Sequence, residues 1–113
     1  MKIIIAGSRT FTDYELLRKA CDENITSQDE IVSGGARGAD LLGERYAKEN
    51  GITVKRFPAD WNKYGRSAGI IRNIEMVKYS DMLIAFWDER SAGTKHIIEI
   101  AKKDLLEIKV IDV

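Results

Sequence analysis

Short apolar runs alternate along this chain with longer segments in which apolar residues recur every three or four positions. Residues 2–6 are apolar after the first lysine, and residues 82–86 are apolar throughout. Such runs are typical of strands that are buried on both faces. Residues 52–57 alternate in polarity and end at Pro58, which favours an edge strand. Two further strands are predicted at 30–33 and 108–112.

Four segments have the spacing of amphipathic helices that bury one face. The first follows a capping box in which Thr12 is the N-cap and Glu15 reaches back to it, and this helix frays near Asn24. Its apolar stripe contains Cys21, which we interpret as a small core residue and not as a reactive thiol. The other three helices are predicted over residues 38–50, 67–79 and 93–104.

Strands that alternate with helices of this length predict one α/β domain over residues 1–113, with a five-stranded parallel sheet and helices on both faces. The two most apolar strands are expected to be central and adjacent, which gives the strand order 3-2-1-4-5. In such a sheet, ligands bind at the carboxyl ends of the strands, beside the point where the strand order reverses. We therefore expect the loops after strands one, two and four to share one edge and to form the site.

The composition narrows the classes of function. The chain of 113 residues has 18 Lys plus Arg and 18 Asp plus Glu, so its formal net charge is zero. A general attraction to nucleic acid or to an anionic membrane is not built into the whole chain, although a local basic patch is compatible with it. No apolar run is long enough to cross a bilayer, so no membrane partner is expected. One cysteine and one histidine exclude an internal disulfide and a metal site of several Cys or His, which fits a reducing cytoplasm.

The loop after the second strand, residues 33–40, reads SGGARGAD and leads into a helix. Glycine lets a ligand approach the backbone closely, and the start of a helix adds free N–H groups and the positive end of a dipole. Arg37 would add a fork-shaped cation for the same anion. The alternative is a tight turn between strand and helix that needs glycine only for its geometry.

The loops after the first and fourth strands, residues 7–10 and 87–94, also combine glycine with hydroxyl residues and arginine. Backbone donors, hydroxyls and guanidinium groups that converge at one rim suit a phosphate or a diphosphate. The chain has no Gly-x-x-x-x-Gly-Lys-Ser/Thr string and no Gly-x-Gly-x-x-Gly string. These absences argue against a P-loop NTPase and against ordinary dinucleotide binding.

The polar loop over residues 60–66 contains Trp61, whose ring is suited to stacking on a base while Asp60 reads the base edge or a ribose. The alternative is that Trp61 covers an edge of the core and Asp60 caps a turn. Arg72 and Asn73 follow in an otherwise apolar helical stretch, and we expect Arg72 to reach the rim.

Three other polar residues leave more than one interpretation open. His96 is favoured as an exposed helix residue over a catalytic one. Asp88 and Glu89 lie near the predicted rim, where they would bind ribose or Mg²⁺ or would form part of a solvated loop.

Six short motifs together resemble a known superfamily. They are GSR at 7–9, SGGARGAD at 33–40, PADW at 58–61, RN at 72–73, IAFWD at 84–88 and SAGT at 91–94. In that order they look like the SLOG superfamily, specifically its YspA and YpsA-related branch. The resemblance implies a Rossmann-like three-layer fold that binds a nucleotide or a nucleotide-derived ligand as a sensor, sequestering or processing module.

Two related families extend the resemblance. The "lonely guy" phosphoribohydrolases, which release a base from a nucleoside monophosphate, pair an Arg four positions before a Met with a Glu three residues after Gly-Thr. Arg72 and Met76 match the first part, which makes Arg72 a candidate catalytic residue, but Ile97 stands where the Glu would be. The DNA-processing family DprA is similar in its Gly-Ser-Arg, its glycine turn and its Arg-Asn, and it binds single-stranded DNA. In that light, Arg9, Arg37, Lys63, Arg66, Arg72 and Lys95 would follow a nucleic-acid backbone, with Trp61 stacking on a base.

We therefore predict a binding module for a small nucleotide ligand, held by its phosphate, with no metal and no required cofactor. The predicted ligand-binding residues are Gly7, Ser8, Arg9, Thr10, Ser33, Gly34, Gly35, Arg37, Gly38, Asp40, Asp60, Trp61, Arg72, Asn73, Trp87, Asp88, Ser91, Gly93 and Thr94. A nucleotide-processing enzyme that cleaves the N-glycosidic bond is the second hypothesis, and the sequence leaves turnover open. A single-stranded nucleic-acid binder is the third, less favoured because the net charge is zero. The exposed edge strands also favour a homodimer or a larger homo-oligomer.

Overall fold

A computed structural model, which describes residues 1–113, has a central parallel sheet of five strands. The strands are β1 (Lys2–Gly7), β2 (Glu30–Ser33), β3 (Thr53–Arg56), β4 (Met82–Trp87) and β5 (Glu107–Asp112). They pair in the order β3-β2-β1-β4-β5. Ile4 of β1 lies between Val32 of β2 and Leu83 of β4, so the most apolar strands are indeed central. The predicted Rossmann-like fold and strand order are confirmed.

Five helices accompany the sheet: α1 (Tyr14–Asn24), α2 (Ala39–Glu49), the one-turn α3 (Trp61–Tyr64), α4 (Ala68–Tyr79) and α5 (Ala92–Lys103). Successive residues of β1 point to opposite faces of the sheet. Ile3 and Ile5 pack with residues of α1 and α2, whereas Ile4 and Ala6 pack with residues of α4 and α5. Because β1 is covered on both sides, a run of apolar residues without alternation is what its position requires. None of the helices is long and apolar enough to span a membrane.

Cys21 lies fully buried in the first of these two cores, as predicted. Burial raises the pKa of its thiol to about 12, so the thiolate is absent at neutral pH.

The start of α1 differs from the prediction. Asp13, and not Thr12, is the N-cap, because its Oδ1 accepts a hydrogen bond from the Leu16 N–H (3.1 Å). Glu15 does not reach back to the cap and instead accepts from Arg18 (2.6 Å). A carboxylate at the N-cap also interacts favourably with the helix dipole, which a threonine hydroxyl does to a smaller extent.

The segment predicted as a long loop at 60–66 is largely helical. Asp60 caps α3 by accepting from the Lys63 N–H (3.0 Å), a short 3₁₀ turn follows over Gly65–Ser67, and α4 begins at Ala68. One turn of helix is too short to leave a periodic pattern, so its sequence looks like a loop.

The edge strand β3 is also different from its prediction. All four residues from Thr53 to Arg56 are exposed, so the alternation in polarity over residues 52–57 does not give this edge strand one buried face. β3 pairs with β2 on one side only, and the helices pack mainly over the inner strands. Self-association through such an edge stays a prediction.

Candidate functional site

The turns that follow β1, β2 and β4 meet at the carboxyl edge of the sheet and are joined by backbone hydrogen bonds. The Ser8 N–H donates to the Phe86 carbonyl (3.2 Å), and the Ala39 N–H donates to the Ser8 carbonyl (3.3 Å). Gly38, with φ 80° and ψ −129°, packs so closely on the first turn that a Cβ atom would lie 2.7 Å from the Arg9 carbonyl carbon. The three turns therefore form one continuous surface.

A cleft of about 420 Å³ lies between these turns. We call it the mixed cleft, because it has both charged and hydroxyl side chains. Its cations are Arg9, Arg72 and Arg90, and its carboxylates are Asp40 and Asp88. The remaining lining residues are Ala6, Gly7, Ser8, Thr10, Ala36, Asn73, Met76, Ser91, Gly93, Thr94 and Ile97.

A second cleft, of about 360 Å³, adjoins the first and shares Arg9, Ala36 and Arg72 with it. Its other lining residues are Gly34, Gly35, Arg37, Arg56, Pro58, Ala59 and Trp61. We call it the arginine cleft, because four guanidinium groups and no carboxylate line it.

A third groove, also of about 360 Å³, adjoins the mixed cleft on its other side through Ser8, Thr10 and Asp88. It is lined by Ser8, Thr10, Phe11, Thr12, Asp13, Leu16, Asp88 and Val113, with no Lys or Arg among them. We call it the acidic groove. The edge of the sheet thus changes from basic to acidic across three adjoining depressions.

Arg56 is held in place by α2. Its Nε and Nη2 donate to the two carboxylate oxygens of Glu44, at 3.0 and 2.6 Å. Glu44 also accepts from the Ser33 hydroxyl (2.6 Å). Partial burial works against ionisation of Glu44, but the hydrogen bonds from Arg56 and Ser33 outweigh it and lower its pKa. The pair therefore stays charged and fixes one wall of the arginine cleft.

Arg72 extends from α4 to the glycine turn. Its Nη1 donates to the Gly34 carbonyl (2.8 Å), and its Nε donates to the Asn73 side-chain oxygen (3.1 Å). Burial lowers the pKa of this guanidinium, which remains a cation at neutral pH. Arg9 and Arg37, in contrast, have exposed side chains that make no hydrogen bond or ion pair with the protein.

Asp40 is the buried carboxyl of the site. Only 6% of its surface is exposed, and its Oδ2 accepts from the Ala36 N–H (3.2 Å). Burial raises its pKa to about 6, against the opposing effects of the Ala36 N–H and of the Arg72 charge. Asp40 therefore titrates within the range of ordinary buffers, while it faces the mixed cleft.

Asp88 organises the turn after β4. Its Oδ1 accepts from the N–H groups of Arg90 and Ser91, both at 2.9 Å, and these bonds lower its pKa. Ser91 in turn caps α5 by accepting from the Thr94 N–H (3.4 Å). No three His, Cys, Asp or Glu side chains come together in a way that could hold a metal ion.

Most of the predicted ligand-binding residues line one of the two adjoining clefts, but four do not. Ser33 is fully buried against Glu44, and Gly38 is enclosed by the first turn. The indole N–H of Trp87 donates to the Ser91 carbonyl (3.2 Å). Asp60 caps α3 and lines a further groove of about 220 Å³, which shares Pro58 and Arg72 with the arginine cleft. In the structure these four residues position their neighbours.

Two lining arginines were not among the predicted site residues. Arg56 is the last residue of β3, so the rule that ligands bind at the carboxyl ends of strands points to it as well. Arg90 lies within the turn after β4, between the predicted site residues Asp88 and Ser91. Position in the topology was the available signal for both.

For Trp61 and His96, the structure disagrees with one of the interpretations that the sequence allowed. The Trp61 side chain does not cover the core: it is 53% exposed at the wall of the arginine cleft. His96 is half-buried and not exposed, and its Nδ1 accepts from the Asn73 amide (3.2 Å). This contact places His96 behind the mixed cleft and outside both linings.

The chain is similar in sequence to one known family and to one phage protein. A family model described as "YspA, cpYpsA-related SLOG family" matches residues 1–64. The Gene 61 protein of Mycobacterium phage D29 is 36% identical over 111 residues, which cover 90% of this chain and 89% of that protein.

Among solved structures, DNA processing protein A (DprA) from Streptococcus pneumoniae superposes with a TM-score of 0.82 at 17% identity. DprA from Helicobacter pylori superposes with a TM-score of 0.68 at 20% identity. These alignments cover 99% and 97% of this chain, but only 50% and 64% of the two DprA chains. The comparison therefore shows a shared fold with part of a longer protein.

Proposed function

This chain belongs to the YspA, cpYpsA-related SLOG family, and on that premise we propose that it binds a nucleotide or a nucleotide-derived ligand by its phosphate. The arginine cleft carries this proposal, because four guanidinium groups line it without a carboxylate. Guanidinium N–H groups form charge-assisted, often bidentate, hydrogen bonds with phosphate oxygens. The module would then act as a sensor, as a sequestering protein or as part of a processing system.

The mixed cleft supports the same proposal, because its polar side chains suit the ribose of a nucleotide. Ser8, Thr10 and Ser91 offer hydroxyl groups, and Asp40 and Asp88 offer carboxylate oxygens. Carboxylates accept hydrogen bonds from hydroxyl groups, and a carboxylate binds the ribose in many nucleotide sites. Because the two clefts share a wall, a phosphate in one is within reach of a sugar in the other.

A nucleotide panel tests the proposal by thermal unfolding, since a ligand that binds only the folded state raises Tm as its concentration rises. We expect stabilisation by at least one nucleotide and little by the matching nucleoside. Arg37→Gln is expected to weaken binding by about 1.5–3 kcal/mol, the range for a hydrogen bond to a charged group. Arg18→Gln on α1 is the matched control, because it removes the same charge far from both clefts.

Two outcomes would contradict the proposal. One is a panel in which no nucleotide raises Tm. The other is an Arg37→Gln variant with the affinity of the parent protein.

Single-stranded nucleic-acid binding is the second candidate. The H. pylori relative binds single-stranded DNA. On this chain, the exposed ring of Trp61 lies at a basic cleft, and Lys63 and Arg66 are exposed beside it. An aromatic ring among cations is the usual platform for a stacked base.

Salt dependence tests this candidate, because each phosphate contact adds about −0.7 to the slope of log affinity against log salt for a single strand. We expect binding to a 12-nucleotide oligomer to weaken with salt, and to weaken further in Trp61→Ala. Oligomer binding with no salt dependence, or a Trp61→Ala variant that binds like the parent, would remove the candidate.

A further inference from the structure

We propose that the arginine cleft recognises a terminal phosphomonoester and discriminates against an internal phosphodiester. The inference rests on the proposed function and specifies its ligand class: a nucleotide that ends in a free phosphate group, with its nucleoside in the mixed cleft.

The first argument is the charge that remains after internal pairing. Arg56 is neutralised by its two hydrogen bonds to Glu44. Arg72 is opposed by Asp40, whose charge acts on it, and it donates to the Gly34 carbonyl. Arg9 and Arg37 form no hydrogen bond or ion pair with the protein, although the charge of Asp40 also acts on Arg9. Four guanidinium charges against the carboxylate charges of Glu44 and Asp40 leave two positive charges in excess at the cleft.

The two excess positive charges match the charge of one kind of phosphate. A phosphate monoester carries a charge of about −1.5 to −2 at pH 7, whereas a diester carries one negative charge. Only the monoester offsets both Arg9 and Arg37, and it presents three unesterified oxygens to their N–H groups. A diester would leave one cation without a counter-charge and would have one acceptor oxygen fewer.

The second argument is the change of charge along the edge of the sheet. A nucleic-acid strand that continued from the arginine cleft through the mixed cleft would enter the acidic groove. Asp13 and Asp88 line this groove, and no Lys or Arg does. Its next phosphates would meet carboxylates, and like charges disfavour such an arrangement. A ligand with one charged end avoids this repulsion.

The neutral end of the ligand fits the other clefts better. The Ser8 and Thr10 hydroxyls lie on the boundary between the mixed cleft and the acidic groove, with Asp88 beside them. These groups accept hydrogen bonds from sugar hydroxyls or from an exocyclic amine. The ligand is therefore oriented, with its phosphate toward Arg37 and its nucleoside toward Asp88.

The test uses the full chain and calorimetry at pH 7.5. Each of AMP, GMP, CMP and UMP is compared with its 5′-phosphate methyl ester, which has the same base and sugar but a diester charge. We expect the best monophosphate to bind at least tenfold more tightly than its methyl ester. Arg37→Gln is expected to reduce this ratio towards one, and Arg18→Gln is expected to leave it unchanged.

Equal affinities for a monophosphate and its methyl ester would overturn the inference and leave the proposed function standing. The absence of binding by every nucleotide would overturn both. An oligonucleotide provides a second measurement, because the best monophosphate is expected to bind at least tenfold more tightly than a 5′-phosphorylated oligomer, whose further phosphates would enter the acidic groove. Equal binding of the monophosphate and the oligomer would also count against the inference.

Discussion

The guanidinium of Arg72 donates a hydrogen bond from Nη1 to the carbonyl oxygen of Gly34, over 2.8 Å. This bond joins α4 to the glycine turn across the carboxyl edge of the sheet. It also leaves Arg72 in the linings of both clefts, so one side chain forms the wall between them. The geometry of the two clefts therefore depends on the space above Gly34.

Replacement of Gly34 by alanine is expected to damage the site more than the fold. The new Cβ would lie 2.5 Å from Arg72 Nη1 and 2.8 Å from Asp40 Oδ2, and both atoms are at the ends of side chains that can move away. We expect a loss of stability of about 1 kcal/mol, at the low end for overpacking. Nucleotide affinity is expected to fall at least tenfold, because Arg72 leaves its position. Urea unfolding measures the loss of stability, and calorimetry measures the loss of affinity.

Gly69→Ala is the matched control for that variant. A Cβ at Gly69 would meet only the Trp61 ring, at an ordinary distance of 3.6 Å, and Gly69 lies within α4. Alanine in a helix is expected to add about 0.5–1 kcal/mol of stability without changing affinity. An affinity loss in Gly69→Ala equal to that in Gly34→Ala would contradict the steric argument.

The carboxyl of Asp40 predicts a specific pH dependence. Its pKa is about 6 in the folded state against 3.8 for a free carboxyl, so the folded protein holds this proton more tightly. Its contribution to the free energy of unfolding therefore falls as pH rises from about 4 to about 6, and it is constant above that range. Two pKa units correspond to about 3 kcal/mol.

Asp40→Asn removes this titration while keeping an oxygen for the Ala36 N–H. We expect the variant to be more stable than the parent at pH 7.5, with a difference that shrinks as pH falls to 4. Thermal or urea unfolding of both proteins over that range measures the difference, which also cancels the contributions of the other carboxylates. A difference that does not change with pH would show that Asp40 titrates normally.

Alanine variants at Gly38 and Gly51 distinguish two costs of replacing glycine, the strain of a positive φ and the steric overlap of the new Cβ. Both have positive φ, at 80° and 65°, but a Cβ at Gly38 would overlap the Ser8 carbonyl and the Arg9 backbone, whereas a Cβ at Gly51 would meet nothing within 4 Å. Gly51→Ala is expected to cost about 1–2 kcal/mol from the backbone conformation alone. Gly38→Ala is expected to cost clearly more, because backbone atoms cannot move aside as side chains do.

Denaturant unfolding of the two variants measures this difference. Equal losses of stability would mean that the overlap of a Cβ at Gly38 with the first turn is relieved at no cost, contrary to this argument.

The family resemblance raises the question of turnover, and the structure predicts that a bound nucleotide remains intact. Ile97 occupies the position where related hydrolases have a glutamate, and its side chain is apolar and 1% exposed. The two carboxylates of the mixed cleft lie on other elements, Asp40 on α2 and Asp88 in the turn after β4, so neither stands in the place of that glutamate on α5. We expect AMP incubated overnight with the protein to be recovered unchanged by chromatography. Release of free adenine by the parent protein, and no release by the Arg72→Gln variant, would restore the hydrolase hypothesis.

The fold could be predicted from the sequence because β4 has no charged residue on either face and β1 has only Lys2, at its first position. A strand such as β4 is stable only between two layers of helix, which fixes the centre of the sheet. Short connections then place the remaining strands in order. The convergence of three turns on one edge follows from parallel pairing alone.

The details of the site could not be predicted, because they depend on long-range contacts. The pairing of Arg56 with Glu44 joins residues of β3 and α2, and no periodicity relates them. The division into two clefts depends on the conformation of Arg72, a long side chain. At the start of α1, Thr12 and Asp13 are both good N-caps, so the residue type alone does not decide which of them caps the helix.

The two hydrogen bonds between Arg56 and Glu44 have a consequence for the entropy of ligand binding. Immobilising a flexible side chain on binding costs about 0.5–1.5 kcal/mol. The two hydrogen bonds to Glu44 already restrict the Arg56 side chain, so in the proposed site its remaining N–H groups would be preorganised, and an anion would have to restrain only Arg9 and Arg37. Glu44, a residue outside both linings, would thereby raise the affinity for the proposed ligand through the order that it imposes before the ligand binds.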